Sequence, residues 1–397
     1  MASGNIVFND TFTEASNTAL TSHTPDTGTG WTSVNAISTA RLQVQATDDR
    51  LEPDTAVINS GQTATADATY PSADYHVSLK LIAVPATSGD YVRIYARYAS
   101  QALNGYYSIG ISNSVSNDPD IRVGASATTE TILVSHDNSN VTLFAANDII
   151  VFEVVGSQLA LFVNEVCRVV AVVDANVTAA GKAAVTMGAF WAATSDNTNL
   201  TDQRIDDFQI LQLGANITAF ANPTTTGENN NDFTNPSNAY SSNDVDATVS
   251  VDNTPLVRQD YGDFGFSINS GDTITGVQVR VEGGASSNVS LYTITMELSK
   301  DNGASWPVSK VVTAYDLAAA NTDYFFIFGH GRSLWGTTWS PSDFDNANFR
   351  VRISVNTNST TVRTFQLDHI SVKVFSDAGA GGGGEVSGGK LPLMFVG

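Results

Sequence analysis

Tyr91, Arg93, Tyr95 and Arg97 alternate with Val92, Ile94 and Ala96, so one side of a strand would carry two phenol rings between two guanidinium forks. Aromatic planes beside guanidinium groups suit sugars, acidic groups or a protein interface. The same row would otherwise be an ordinary solvent face whose long side chains cover their neighbours. Trp335 and Trp339, close to Phe344, offer flat surfaces for sugar C–H groups, although irregular connections of this kind are also pinned by buried tryptophans. Oxygen ligands suited to calcium stand on turns at Asp202, Asp206 and Asp207, and at Asp343 and Asp345 beside Asn346. No EF-hand spacing accompanies them, so no metal and no other cofactor is expected, calcium being the one exception the turns leave open. His23, His76, His136, His330 and His369 stand singly, with neither metal-ligand spacing nor a Ser/His/Asp grouping. Cys167 is the single cysteine, which excludes an intramolecular disulfide and a thiolate zinc site. Its apolar surroundings predict a buried, inert thiol.

Ser299, Asp301, Gly303 and Trp306 form a tighter pattern. Asp301 can accept backbone N–H bonds across a hairpin, Gly303 can take the left-handed conformation, and Trp306 can cover the turn. The run resembles the Asp-box of sialidase propellers. Sialidases carry several copies beside an arginine triad and a nucleophilic tyrosine, whereas this chain has one copy, so the pattern reads as a structural turn.

These residues stand on or between strands. Period-two alternation recurs and no long segment repeats apolar residues every three to four positions. In residues 74–84, Tyr75, Val77, Leu79 and Leu81 share one face, and His76, Ser78 and Lys80 the other. Gly156-Ser157 and Asn164-Glu165 fall where tight turns are needed, making residues 149–173 a three-stranded meander. Residues 219–242 switch to Asn, Pro, Thr and Ser. Strands resume at 263–269, 273–282, 289–299, 308–313, 324–329, 349–355 and 365–375. The spacing predicts an all-β protein with two tandem β-sandwich domains. The first spans 1–214, 215–243 is a linker or domain-entry loop, the second spans 244–377, and 378–397 is a glycine-rich tether with an apolar tail.

Residues 8–31, 88–111, 149–174, 179–190 and 205–211, in that order and spacing, resemble the concanavalin A-like lectin and glucanase jelly roll, in the laminin-G-like variety common in tailed-bacteriophage structural proteins. Residues 233–244, 273–283, 334–353 and 365–375 resemble the carbohydrate-binding-module type of jelly roll found in phage tail, baseplate and head-surface proteins. The glucanases resemble one another in a Glu-x-Asp-x-x-Glu or Glu-x-Asp-x-Glu strand that places two carboxylates on one face. The nearest match here, Glu52-Pro53-Asp54, lacks the second Glu, so hydrolysis on that template fails.

The chain of 397 residues carries 40 Asp plus Glu against 19 Lys plus Arg, a net charge of −21. That balance argues against nucleic acid, whose phosphates need cationic partners, and against anionic membranes. The first residues have neither a basic stretch nor an apolar run, so no secretory signal is expected. The end is apolar: Leu391, Leu393, Met394, Phe395 and Val396 follow glycines 379–389, too few to span a bilayer and suited to a partner's groove. The reading that results is a non-enzymatic virion protein of a tailed phage, assembled in the host cytoplasm and released by lysis. It would be a tail, baseplate or fibre component or a capsid decoration protein, homo-oligomeric and docked through its tail on other virion proteins. A lectin-like surface would meet a host glycan. The alternative is a free lectin or a divergent glycoside hydrolase.

Overall fold

The computed structural model describes residues 6–34, 42–53, 62–85, 90–100, 105–112, 119–124, 130–135, 144–171, 177, 181–189, 203–213, 216–253, 256–287, 291–316 and 320–379. The tail residues 391–396 and Asp202 lie outside them, as do Asp54 and His136. The chain forms two β-sandwiches in tandem, with antiparallel pairing throughout the described strands. The first packs a seven-stranded sheet, ordered Glu130–Ser135, Asp120–Gly124, Tyr107–Ile111, Asp90–Tyr98, Lys182–Ala189, Gln62–Asp67 and Gly30–Ser33, against a sheet centred on Tyr75–Ala83 and Ile149–Val155. The second packs a five-stranded sheet, Thr225–Asn231, Val257–Gly262, Arg350–Thr357, Leu291–Ser299 and Val308–Asp316, against Thr273–Ala285 and Arg363–Asp377.

Alternation explains the cores. Val77, Leu79 and Leu81 sit in the first core with Tyr75, each at most 1% exposed. Each large apolar side chain buried this way contributes about 1.5 to 3 kcal/mol. The meander follows its turn signals: Gly156 (φ 56°) joins Ile149–Val155 to Gln158–Val163, and Asn164 and Glu165 (φ 48° and 69°) lead into Val166–Ala171. Two left-handed central residues match the twist of a tight hairpin.

Three details differ from the expectation. Residues 263–269 are not a strand among the described elements; Asp263 and Gly265 take positive φ (56° and 68°), and the irregular chain places Phe264 and Phe266 against Phe349. Within 215–243, expected to link or lead into the second domain, Asn216–Ile217 pairs with Arg363–Asp377 and Thr225–Asn231 with Val257–Gly262, so the segment belongs to the second sandwich. The polarity of Thr225–Asn231 fits an edge strand, which has one unpaired side. Finally, the two sandwiches share one sheet: Val166 pairs with Phe328, joining Val166–Ala171 of the first to Tyr324–Phe328 of the second. Val151, Ala160, Phe162 and Cys167 therefore face Ile327 of the second sandwich in a buried cluster, not water.

Candidate functional site

The row of Tyr91, Arg93, Tyr95 and Arg97 is not a solvent face. Arg93 and Tyr95 are 1% and 0% exposed, and only Tyr91 keeps partial exposure. Antiparallel pairing lines up Arg93 with Gly110 and, on the next strand, Arg122 with Ser108, so charges from three strands meet. The Arg93 guanidinium lies 4.3 Å from the Tyr91 ring centre, with Glu130 Oε2 3.3 Å away and Asp120 Oδ1 4.0 Å away. Arg122 pairs with the other Asp120 oxygen. Asp120 and Glu130 were invisible as partners from sequence because they sit on other strands. Tyr95, Tyr98 and Tyr106 pack together beside this cluster. Arg97 leaves the row: a register shift and φ 52° turn it toward the opposite sheet. There it donates to the Ala73, Val177 and Gly156 carbonyls and to Asp74, holding that end of the sandwich shut. As a ligand-contacting row, Tyr91, Arg93, Tyr95 and Arg97 are thus corrected: buried pairing uses the guanidinium groups.

Trp335 and Trp339 are likewise removed from ligand contact, at 6% and 9% exposure. Trp335 donates to the Val277 carbonyl at 2.8 Å and Trp339 to the Leu334 carbonyl at 3.0 Å, the latter packed on Phe344. The acidic turns are used structurally. Asp343 accepts Ser340 N–H at 2.8 Å in a capping box, the single Asp345 backbone carbonyl accepts the Asn348 and Phe349 amides, and the Asp206 carboxylate accepts the Asp207 amide. Carboxylates gather instead at Asp244, Asp323 and Asp368, whose oxygens lie within 4.8 Å of one another. Those three could hold a hard cation. Glu52 is tied to Arg204 at 3.2 Å and Arg50 at 3.5 Å.

The open surface lies on the second sandwich. Alternation in Arg350–Thr357 sends Val351, Ile353 and Val355 into the core and Arg350, Arg352 and Ser354 to the other face of the sheet, where Arg352 and Ser354 are covered by their neighbours at 8% and 0% exposure. Arg352 pairs in register with Asp260 on one side and Glu297 on the other. Asp260 grips it with both oxygens, Nε at 2.7 Å and Nη2 at 3.0 Å, a fork-to-fork geometry that fixes the guanidinium plane. The Trp306 ring lies over it, 3.9 Å from ring centre to guanidinium carbon. The turn before Trp306 delivers it there: Asp301 accepts the Ser305 amide at 2.9 Å and the Ser299 hydroxyl at 2.7 Å, Ser299 accepts the Gly303 amide at 2.9 Å, and Gly303 has φ 80°. Hydrogen bonds from the Ser305 hydroxyl first, then from the Ser299 hydroxyl and the Ser305 amide, hold the Asp301 carboxyl below its usual range. Trp306 remains partly exposed, and Glu297, Thr295, Thr293, Arg258 and Ser309 extend a polar face around it. A flat ring held rigidly above a field of hydroxyl and carboxylate groups can stack on a pyranose and hydrogen-bond its hydroxyls. From its own segment Trp306 reads only as the cover of its turn; its stacking on Arg352 depends on a strand 46 residues away, counted from 306 to 352.

A third cluster sits between the sandwiches. His76 and Glu153 are cross-strand partners, buried at 2% and 1%, and His330 reaches them from the second sandwich at 4% exposure. The histidines expected to stand singly are therefore corrected here: the His76 and His330 rings are 5.6 Å apart. Burial, then the nearby His330 and Arg332, holds His76 well below the usual histidine range, and burial raises the Glu153 carboxyl. His23 is bound by Asp10 at 2.8 Å and Glu14 at 2.7 Å, and His369 by Asn222 at 3.0 Å. Cys167 is buried in the same interface, its thiol pushed up to about 12 by burial.

No protein-family model matches the chain, and no curated protein matches it. Solved structures similar to it include the carbohydrate-binding module CBM66 from Bacillus subtilis (11% identity, 47% of this chain and 97% of that one, TM-score 0.32). The carbohydrate recognition domain of Emp47p is similar at 10% identity over 53% of this chain and 99% of that one, with a TM-score of 0.35. LamAcat from Zobellia galactanivorans is similar at 10% identity over 53% of this chain and 98% of that one, with a TM-score of 0.33. At such identities and scores these likenesses carry no inference about ligand or activity.

Proposed function

We propose that the protein is a non-enzymatic glycan-recognition protein whose binding face is the outer surface of the five-stranded sheet. The observation that carries this reading is the partly exposed Trp306 ring, stacked 3.9 Å above an Arg352 guanidinium that Asp260 holds bidentately, in the middle of a polar sheet face. The ring is placed before any ligand arrives, so binding costs little side-chain ordering. On this reading Glu297 and Arg258 orient sugar hydroxyls beside the ring.

The test is a glycan array probed with the full chain and with Trp306→Ala. The wild type is expected to retain a set of glycans, and Trp306→Ala to lose them by at least about tenfold, the loss of one stacking contact of about 1.4 kcal/mol. Its melting should shift only by the lost cation–π contact, about 0.5 to 1 kcal/mol. Absence of any glycan bound, or binding indifferent to Trp306, would sink this reading. A reducing-sugar assay on every glycan bound completes it: product release would overturn the non-enzymatic part.

The setting we propose for this surface is the virion of a tailed phage, in a tail, baseplate, fibre or head-decoration position. Two features support it: the resemblance of both jelly rolls to phage structural domains, and the apolar segment Leu391, Leu393, Met394, Phe395 and Val396 after a glycine tether. Removing residues 390–397 should leave both sandwiches melting as before and prevent incorporation into particles; normal incorporation overturns the anchoring role.

A further inference from the structure

His76, Glu153 and His330 each offer a ligand atom within 4.8 Å of the other two, at a place where the two sandwiches meet. We propose that these three residues bind a divalent transition-metal ion of the zinc type, which clamps the first sandwich to the second.

Placement comes from three elements. His76 on Tyr75–Ala83 and Glu153 on Ile149–Val155 are directly opposite in register, so their side chains leave the sheet side by side. His330 arrives between two glycines. Gly329 turns the chain at φ 74° where a Cβ would lie 2.3 Å from the Val277 carbonyl, and at Gly331 a Cβ would lie 2.4 Å from Leu213 and 3.1 Å from Glu153 Oε2. Only a chain without side chains at both positions brings His330 this close.

The surrounding hydrogen bonds resemble an outer shell around a metal. The Arg332 amide donates to His330 Nδ1 at 3.2 Å, so Nε2 carries the proton and donates to Glu165 Oε1 at 2.8 Å. Glu165 is itself held by Ser333 at 2.7 Å and Lys310 at 2.9 Å. A carboxylate that receives one imidazole N–H fixes the ring and strengthens the other nitrogen as a donor to metal. Coordination would exchange the long Arg332 contact for the ion. Glu153 is oriented in the same way, Oε1 by Gln278 at 3.1 Å and Oε2 by the Gly331 amide at 2.7 Å. Gln278 is held in turn by Gln158. Independently, His76 Nδ1 is buried without a hydrogen-bond partner, in a residue 2% exposed. A buried imidazole nitrogen left unpaired is costly in a folded protein unless something else completes it. Two imidazoles and one carboxylate select a borderline metal over calcium or magnesium, which take oxygen.

The experiment uses the full chain, stripped with a chelator and titrated with Co2+ as a spectroscopic stand-in for zinc. One equivalent is expected to bind, with d–d absorption of a four- or five-coordinate site and a rise in melting temperature; zinc should displace the colour. His76→Gln and His330→Gln, one in each sandwich, should each abolish the absorption. Glu165→Gln should keep it with about 10- to 100-fold weaker affinity, as for an outer-shell carboxylate. Should Glu153→Gln fail to fold, the two histidine variants still decide. The proposal is overturned if the wild type takes up no stoichiometric ion. It is equally overturned if uptake survives both histidine variants, or if uptake is lost with Asp323→Asn, which would place the ion at the acidic cluster. A site that is only a hydrogen-bonded seam gives the first of these results.

Discussion

Arg352 shows how one side chain can serve both stability and recognition. Its guanidinium and the Asp260 carboxylate are nearly removed from water, at 10% and 6% side-chain exposure, and each satisfies the other. Removing only one partner leaves a buried, uncompensated charge. Arg352→Ala is therefore expected to cost about 3 to 5 kcal/mol in urea unfolding, more than Trp306→Ala on the same face. Arg352→Lys should recover part of this, because an ammonium keeps the charge and loses the bidentate fork. A cost under 1 kcal/mol for Arg352→Ala would mean the pair is hydrated. Arg93 obeys the same logic on the first sandwich, where Glu130 and Asp120 neutralise it; its alternation with Tyr91 and Tyr95 was legible, but its carboxylate partners were not.

At the scale of strands and turns, the sequence revealed most where side-chain period and turn chemistry agreed. The meander from Ile149 to Ala171 follows from Gly156 and Asn164-Glu165, and the Asp301 turn from its own short pattern. Strand Thr225–Asn231 escaped notice because TTGENNN has no apolar face, and residues 263–269 misled because Phe264, Phe266 and Ile268 alternate without extended backbone. The acidic cluster on Arg363–Asp377 and its neighbours was unreadable for another reason: the Asp244–Asp246 pair, Glu282, Asp323 and Asp368 come from four separate stretches of sequence and are adjacent only in the fold. Burial first, then Asp246, Asp368, Glu282 and Asp244, raises Asp323 to about 6. A raised carboxyl favours the protonated fold, so its stabilising contribution is complete below about pH 3.9 and lost as pH rises through about 6. Asp323→Asn should accordingly raise the urea midpoint at pH 7.5 and leave it unchanged near pH 4. A gap that stays constant across that range would show that Asp323 is not strained by its neighbours.

At the scale of the whole molecule, the junction between sandwiches is built like a core. One sheet runs through it at Val166 and Phe328, Phe162 and Ile327 share a buried cluster with Cys167 and Val151, and Leu213 meets Phe375 and Val155. Glu165 adds a clasp, hydrogen-bonded to His330 and ion-paired with Lys310: burial opposes ionisation there, but the His330 hydrogen bond, followed by Lys310, carries the carboxyl well below its usual range. A depressed carboxyl stabilises the junction above its ordinary pKa and gives that up as pH falls through the folded value. Each sandwich has its own continuous core, so each half should fold when expressed alone. Neither half can keep Phe162, Ile327, Leu213 and Phe375 dry by itself. Exposing them should cost on the order of 5 kcal/mol shared between the halves, at about 25 cal/mol per Å2 of apolar surface. Residues 1–213 and 216–379 made separately are thus expected to melt several degrees below the intact chain at pH 7, and Gly331→Ala, whose Cβ would meet Leu213 at 2.4 Å, should lower the intact chain in the same direction by about 1 to 3 kcal/mol. Calorimetry of the three proteins decides the matter, since halves that melt at the temperatures of the intact chain would show that the shared sheet only brings the sandwiches together and does not couple them.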